Sequence, residues 1–231
     1  MNQTVLITGA SRGIGLGFVR HYLEKNCSVI ACARKPDSST ELIQLREKHP
    51  KNLTVVTLDV NSEKSVESLV SSLSKITALD ILINNAGVMK GEKQDFENLN
   101  MKDIADTFDT NVLGPIRVTK ALLPKLENSE NPKIIHITSM MGSIADNSSG
   151  GYYASRISKA ALNMANKSMA IDFPEITCVV LHPGWVQTDM GGAGAPTEIE
   201  ASVTGMASVI EGLTPNQTGK FYDFRGKELP W

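Results

Sequence analysis

Short apolar runs alternate with longer stretches of helical period along almost the whole sequence. The runs Thr4–Thr8, Ser28–Ala33, Leu53–Leu58, Asp80–Ile83, Lys133–Thr138 and Thr177–Leu181 read as strands, with a weaker one near Lys220–Tyr222. Several hold consecutive apolar residues without alternation, as strands covered on both faces do. Between them, Ile14, Phe18 and Tyr22 recur at four-residue steps, and Val66, Leu69, Val70, Leu73 and Ile76 mark one face of a second helix. Ile104, Phe108, Val112 and Ile116 mark a long helix running to Leu126, and another covers Ser155–Phe173. Such alternation predicts an α/β fold: a doubly wound parallel sheet of about seven strands with helices on both faces. No linker, repeat or low-complexity stretch divides residues 1–231, so a single domain is expected.

Charge narrows the function. Lys and Arg total 23 against 25 Asp and Glu, a formal charge of -2, and no block of like charge stands out. Neither nucleic acid nor an anionic membrane surface is therefore an expected partner. Cys27, Cys32 and Cys178 lie in apolar surroundings with no metal-ligand spacing. An odd count of thiols without an export signal predicts a reducing, cytoplasmic location, and the cysteines read as small hydrophobes on buried strands. The N-terminus reaches Val5-Leu6-Ile7 at once, a first strand and not a signal peptide. No apolar stretch approaches the roughly 20 residues of a spanning helix.

The first strand is followed by Thr8-Gly9-Ala10-Ser11-Arg12-Gly13-Ile14-Gly15, which leads straight into a helical pattern. Glycines at 9, 13 and 15 permit a tight turn and let main-chain amides approach a pyrophosphate at the helix N-terminus. A glycine triplet alone is weak evidence, but its place between a strand and a helix supports dinucleotide binding on a Rossmann-type sheet. An acid about 20 residues beyond the turn would bind the ribose hydroxyls of NAD; an arginine there accommodates a 2′-phosphate. The second strand ends Ala33-Arg34-Lys35, without an acid, and Arg12 adds a cation within the turn. NADP(H) is thus expected over NAD(H).

The spacing T-G-x-x-x-G-x-G resembles that of the short-chain dehydrogenase/reductase family. Further matches follow in order: Asn84-Asn85-Ala86-Gly87, Asn111, Ser139, Lys159 and Pro183-Gly184. Gly150-Gly151-Tyr152-Tyr153, the run His182–Met190 and the tail Leu229-Pro230-Trp231 look most like the C-factor-like and sniffer-type carbonyl reductase branch. The resemblance implies that Asp59 and Val60 border the adenine and that Asn85, Ala86 and Gly87 line the cofactor side of the sheet. It also implies that Val186 and Thr188, after the Pro183-Gly184 turn, hold the nicotinamide carboxamide. Asn85 reads equally well as a tie between strands, and Asp59 as a helix-capping acid.

The same family places a Tyr four residues before its Lys, one helical turn away, where the ammonium lowers the phenol pKa. Its Ser hydrogen-bonds the substrate oxygen, and its Asn positions a proton-relay water. Ser139, Asn111 and Lys159 stand at the matching places, but four residues before Lys159 is Ser155. Tyr153 lies well round the helix from Lys159, and Tyr152 lies about 10 Å along the axis. The usual general acid is missing. Three explanations stand: an engineered Tyr-to-Ser exchange, a slow reductase protonating through water or Lys159, or a non-catalytic NADP(H)-binding sensor.

The remaining features carry less. Gly191–Pro196 reads as a mobile lid or as a surface loop without a role. His182 reads as structural, and His21, His49 and His136 show no ligand spacing, so no metal is expected. Trp185 and Trp231 either border the pocket or pack. The substrate class is a small or medium carbonyl or its alcohol. Helices 104–126 and 155–173 carry extra Ala, Leu and Met, and the resemblance implies a homodimer or homotetramer through them.

Overall fold

The apolar runs form one all-parallel seven-stranded sheet, ordered β3-β2-β1-β4-β5-β6-β7. Its strands are β1 (Thr4–Thr8), β2 (Ser28–Ala33), β3 (Leu53–Thr57), β4 (Ile81–Asn84), β5 (Lys133–Ile137), β6 (Thr177–His182) and β7 (Lys220–Asp223). The computed structural model describes residues 3–91 and 96–231. Because the order reverses between β1 and β4, the loops after these strands splay apart and open a crevice at the carboxyl edge.

Successive strand residues feed opposite layers. Val5 and Ile7 point into a core shared with α1 (Gly13–Glu24), α2 (Thr40–Lys48) and α7 (Ile199–Gly212). Leu6 points the other way, toward α3 (Glu63–Ser72), α5 (Gly114–Leu126) and α6 (Tyr153–Asp172). A further helix, α4 (Met101–Phe108), packs along α6. Both faces are covered by helices, which is why the strands read as unbroken apolar runs.

Several boundaries differ from those read in the sequence. β4 starts and ends one residue later than expected. Asp80, just before it, still donates its amide to the Thr4 carbonyl and accepts the Lys133 amide, while its carboxylate accepts the Thr4 amide at 2.7 Å. β3 and β5 each stop one residue earlier, at Thr57 and Ile137, while β6 runs on to His182. The second apolar period outlasts its helix: α3 ends at Ser72, and Ile76 reaches the same core from the turn beyond. The long helix is not uniform. Between α4 and α5 the chain widens into a π-helical turn over Asp109–Leu113. α2 buries only Leu42, so its apolar period was too sparse to read. α7 packs through small residues: a Cβ on Gly205 would lie 2.3 Å from the Phe224 carbonyl oxygen.

The three cysteines are free and buried. Burial raises the thiol pKa of each, that of Cys178 to about 12. Among the described residues, no helix is long and apolar enough to cross a membrane, and no three metal-ligating side chains cluster.

Candidate active site

The turn after β1 is shaped by glycine. Gly9 (φ +66°) and Gly13 (φ +55°) adopt left-handed conformations that a Cβ would strain. Gly15 serves packing, since a Cβ there would lie 2.2 Å from the Gly9 carbonyl oxygen. Ile14 packs on the core, and the Ser11 carbonyl accepts from Ser39 Oγ at 2.7 Å. α1 begins at Gly13 without a side-chain cap and without an acid in its first turn. Its leading amides are therefore open to an anion, and this cradle fits the pyrophosphate of a dinucleotide.

Asn85 is the tie between β1 and β4 that its alternative reading required. Its Nδ2 donates to the carbonyls of Thr8 (2.9 Å) and Gly9 (3.2 Å), while the Thr8 hydroxyl accepts the amides of Asn85 and Ala86. Asp59 does not cap a helix. It accepts the Asn61 amide at 3.1 Å, and Ser62 caps α3 instead. Val60 is buried, and a Cβ on Gly114 would meet it at 2.8 Å.

The two arginines expected at one phosphate are engaged differently. Arg12 Nη1 donates to Asp189 Oδ2 at 2.8 Å, on the loop after β6. Arg34 is exposed just beyond β2 and makes no ion pair among the described residues.

That loop turns at Pro183, whose carbonyl accepts from Ser202 Oγ, and at Gly184 (φ +85°), packed on Phe224. Val186 is buried and bridges to Thr197, and the Thr188 methyl stands 3.4 Å from the position of a Gly13 Cβ. The glycine-rich stretch 191–196 is mostly exposed and is tied to the rest of this loop at its two ends. Trp185 Nε1 donates to the Gly191 carbonyl (2.7 Å), Gln187 Nε2 to that of Ala195 (2.9 Å), and Ala195 is buried. Trp231, by contrast, packs on Phe221.

Ser139, Asn111, Lys159 and Ser155 come together beyond β4 and β5. Lys159 Nζ donates to the Ile137 carbonyl at 2.7 Å, and burial lowers its pKa to about 8. A Cβ on Gly87 would stand 3.9 Å from Lys159 Nζ and 3.3 Å from Asn111 Oδ1, so this glycine keeps the floor of the site open. Asn111 lies in the π-helical turn. Its side chain clamps Val88 through both main-chain groups at 2.9 Å, and its Nδ2 also donates to Ser158 Oγ at 3.1 Å. Such widened turns release carbonyls from the helical ladder and recur at functional sites. Ser139 Oγ accepts the Met141 amide at 3.2 Å, which leaves its proton free to donate to another oxygen.

Ser155 is buried one helical turn before Lys159; its carbonyl accepts from Ser158 Oγ at 2.9 Å, and among the described residues its hydroxyl has no hydrogen bond. Neither neighbouring phenol replaces it. Tyr152 precedes α6 at φ +50° and is exposed, whereas Tyr153 sets its ring against Phe96, with centroids 5.8 Å apart. The cluster thus brings a free hydroxyl proton on Ser139 and an ammonium on Lys159 to one edge of the sheet, while the Asn111 amide is spent on Val88 and Ser158, and it contains no phenol.

Sequence reasoning missed the supporting shell. Thr138 donates to Asn163 Oδ1 at 2.7 Å, and Asn163 Nδ2 donates to the Gly142 carbonyl, bracing the turn that carries Ser139. His136 lies wholly buried on β5, held neutral by burial and by the Lys159 charge, with its pKa lowered to about 3. His182 ends β6, and burial likewise lowers its pKa. A polar residue inside an apolar strand was the only signal for His136.

The fold and the sequence both have known relatives. The family model described as short chain dehydrogenase matches residues 3–198. The C-signal protein of Myxococcus xanthus is 52% identical over 155 residues, covering 66% of this chain and 93% of that protein. The solved structure of NADPH-bound carbonyl reductase from chicken fatty liver superposes with a TM-score of 0.94 at 37% identity, over 100% of this chain and 99% of that one. The carbonyl reductase Sniffer of D. melanogaster gives 0.93 at 34% identity, over 100% of both chains.

Proposed function

The chain belongs to the short-chain dehydrogenase/reductase family, and on that premise we propose an NADP(H)-dependent oxidoreductase acting on a small or medium carbonyl or the matching alcohol. The observation that carries this reading is the open N-terminus of α1 facing the same carboxyl edge as Ser139, Asn111 and Lys159. The NADPH bound to the chicken carbonyl reductase supports the cofactor choice. When bound, NADP(H) supplies or accepts the hydride.

In this reading the amides of Ser11–Gly15, with Gly9, cradle the pyrophosphate, and Arg34 and Arg12 receive the 2′-phosphate. Asp59 and Val60 border the adenine, while Ala86 and Gly87 line the inner wall beside Asn85. Pro183, Gly184, Val186 and Thr188 form the nicotinamide side. Ser139 gives its hydroxyl proton as a hydrogen bond to the substrate oxygen. With Ser155 in place of a phenol, the proton comes from water or from Lys159, and turnover is slow.

The whole chain acts as one dinucleotide-binding domain in the cytoplasm, a location supported by three buried thiols. Its partner is a second copy: Ile157, Met164 and Ile171 recur every seven residues along the outer face of α6, all exposed.

Ser155 and the likeness to C-signal favour a second reading, a non-catalytic NADP(H)-binding sensor. Fluorescence titration with NADPH and NADH, beside a carbonyl panel on this chain and on Ser155→Tyr, tests both. Turnover by either chain upholds the oxidoreductase; tight NADPH binding with no turnover in both upholds the sensor.

A further inference from the structure

We propose that Asp189 is a specificity-determining residue: its carboxylate competes with the 2′-phosphate of the cofactor for the Arg12 guanidinium, and so limits the preference for NADP(H) over NAD(H). The proposal rests on the dinucleotide reading above. It arises because the structure engages Arg12, a cation of the glycine turn, with an acid from the far end of the chain.

Three observations carry it. The contact is a direct charge-assisted hydrogen bond, Arg12 Nη1 to Asp189 Oδ2 at 2.8 Å, across the mouth of the crevice. The glycine turn and the loop after β6 also meet beside it, where Thr188 faces Gly13. Finally, the loop does not need the pair for its shape. The amides of Gly191 and Gly192 donate to Thr188 Oγ1 and to the Thr188 carbonyl, Trp185 is tied to Gly191, and the bridge at Val186 pins the loop base. Among the described residues the Asp189 carboxylate has no other partner, so its engagement with Arg12 can be given up without cost to the fold.

A phosphate monoester carries more charge than a carboxylate and offers three acceptor oxygens to the guanidinium fork. It therefore takes Arg12 from Asp189. A cofactor without that phosphate leaves the pair intact. Asp189 consequently opposes NADPH and is indifferent to NADH. Both side chains are 75% exposed, so the opposition has the size of an exposed ion pair, roughly two- to fivefold in affinity.

The test is binding, by calorimetry, of 2′,5′-ADP, 5′-AMP, NADPH and NADH to the unmodified chain and to Asp189→Asn, Asp189→Ala, Arg12→Ala and Arg12→Ala/Asp189→Ala. The expected result is two- to fivefold tighter 2′,5′-ADP and NADPH in both Asp189 variants, with 5′-AMP and NADH unchanged. The gain should vanish when Arg12 is already Ala. Unchanged or weaker NADPH binding in the Asp189 variants, an equal gain for NADH, or a gain that survives in Arg12→Ala overturns the competition. Failure of the unmodified chain to bind either dinucleotide overturns the dinucleotide reading itself, and this proposal with it.

Discussion

The ammonium of Lys159 is anchored on the main-chain carbonyl of Ile137, 2.7 Å away. The last residue of β5 thereby fixes the charge that α6 brings to the crevice, one helical turn beyond Ser155. The anchor explains how an ammonium is tolerated where burial lowers its pKa to about 8.

Ser155→Tyr should create a general acid beside that charge, because Ser139 and Asn111 already stand in the cluster. General acid catalysis contributes about 10²–10⁴-fold, and NADPH oxidation with a reactive diketone or aldehyde should rise by that order. Adding Lys159→Ala should remove most of the gain. The Lys159 ammonium, depressed from 10.5 to about 8, is present below that value and lost as pH rises through it. The gain should therefore fade above about pH 8 if the phenol depends on the ammonium, which a pH–rate profile reads directly.

Cofactor choice should follow the cations. NADPH is expected to bind at least tenfold more tightly than NADH, about 1.4 kcal/mol. Arg34→Ala combined with Arg12→Ala should erase the difference in a fluorescence titration. Equal affinities in the unmodified chain would remove the basis for reading Arg34 as a phosphate ligand.

The glycines of the turn should separate binding from stability. Gly13 has φ +55° and faces only Thr188, so Gly13→Val should abolish dinucleotide binding while the circular dichroism spectrum stays folded. Gly15→Ala forces a Cβ against the Gly9 carbonyl and should lower stability by about 1–3 kcal/mol in urea unfolding. Unchanged NADPH affinity in Gly13→Val would mean that the turn is structural only.

His136 should govern part of the acid limb of stability. Its pKa falls from 6.5 to about 3 on folding, so the folded chain favours the neutral ring. Its contribution is complete above 6.5 and is lost as pH falls toward about 3. Over that window His136→Leu should flatten the dependence of unfolding free energy on pH by up to about 1.4 kcal/mol per unit. An unaltered acid slope in urea titrations would show that another group carries it.

The sheet, the glycine turn and the cluster residues were legible because each leaves a local mark. A doubly covered strand must be apolar throughout, a tight turn into a helix needs residues without a Cβ, and a side-chain pair four residues apart shares a helix face. Ser155 was legible for the same reason, as a missing phenol at a known spacing. The ends of strands were less so: the Asp80 carboxylate before β4 takes the Thr4 amide, a partner 76 residues away.

What the sequence determined by itself is thus the layered fold, the place of the glycine turn and the identity of the groups around Lys159. The tertiary structure alone decided what those groups touch: Asn85 on the glycine turn, Asn111 on Val88, Arg12 on Asp189, and His136 buried near the lysine. Periodicity reports which face of an element is apolar, because burial acts on every residue of that face. A polar contact depends on a single partner brought close by the fold, and between Arg12 and Asp189 that partner is 177 residues distant, so no local pattern records it.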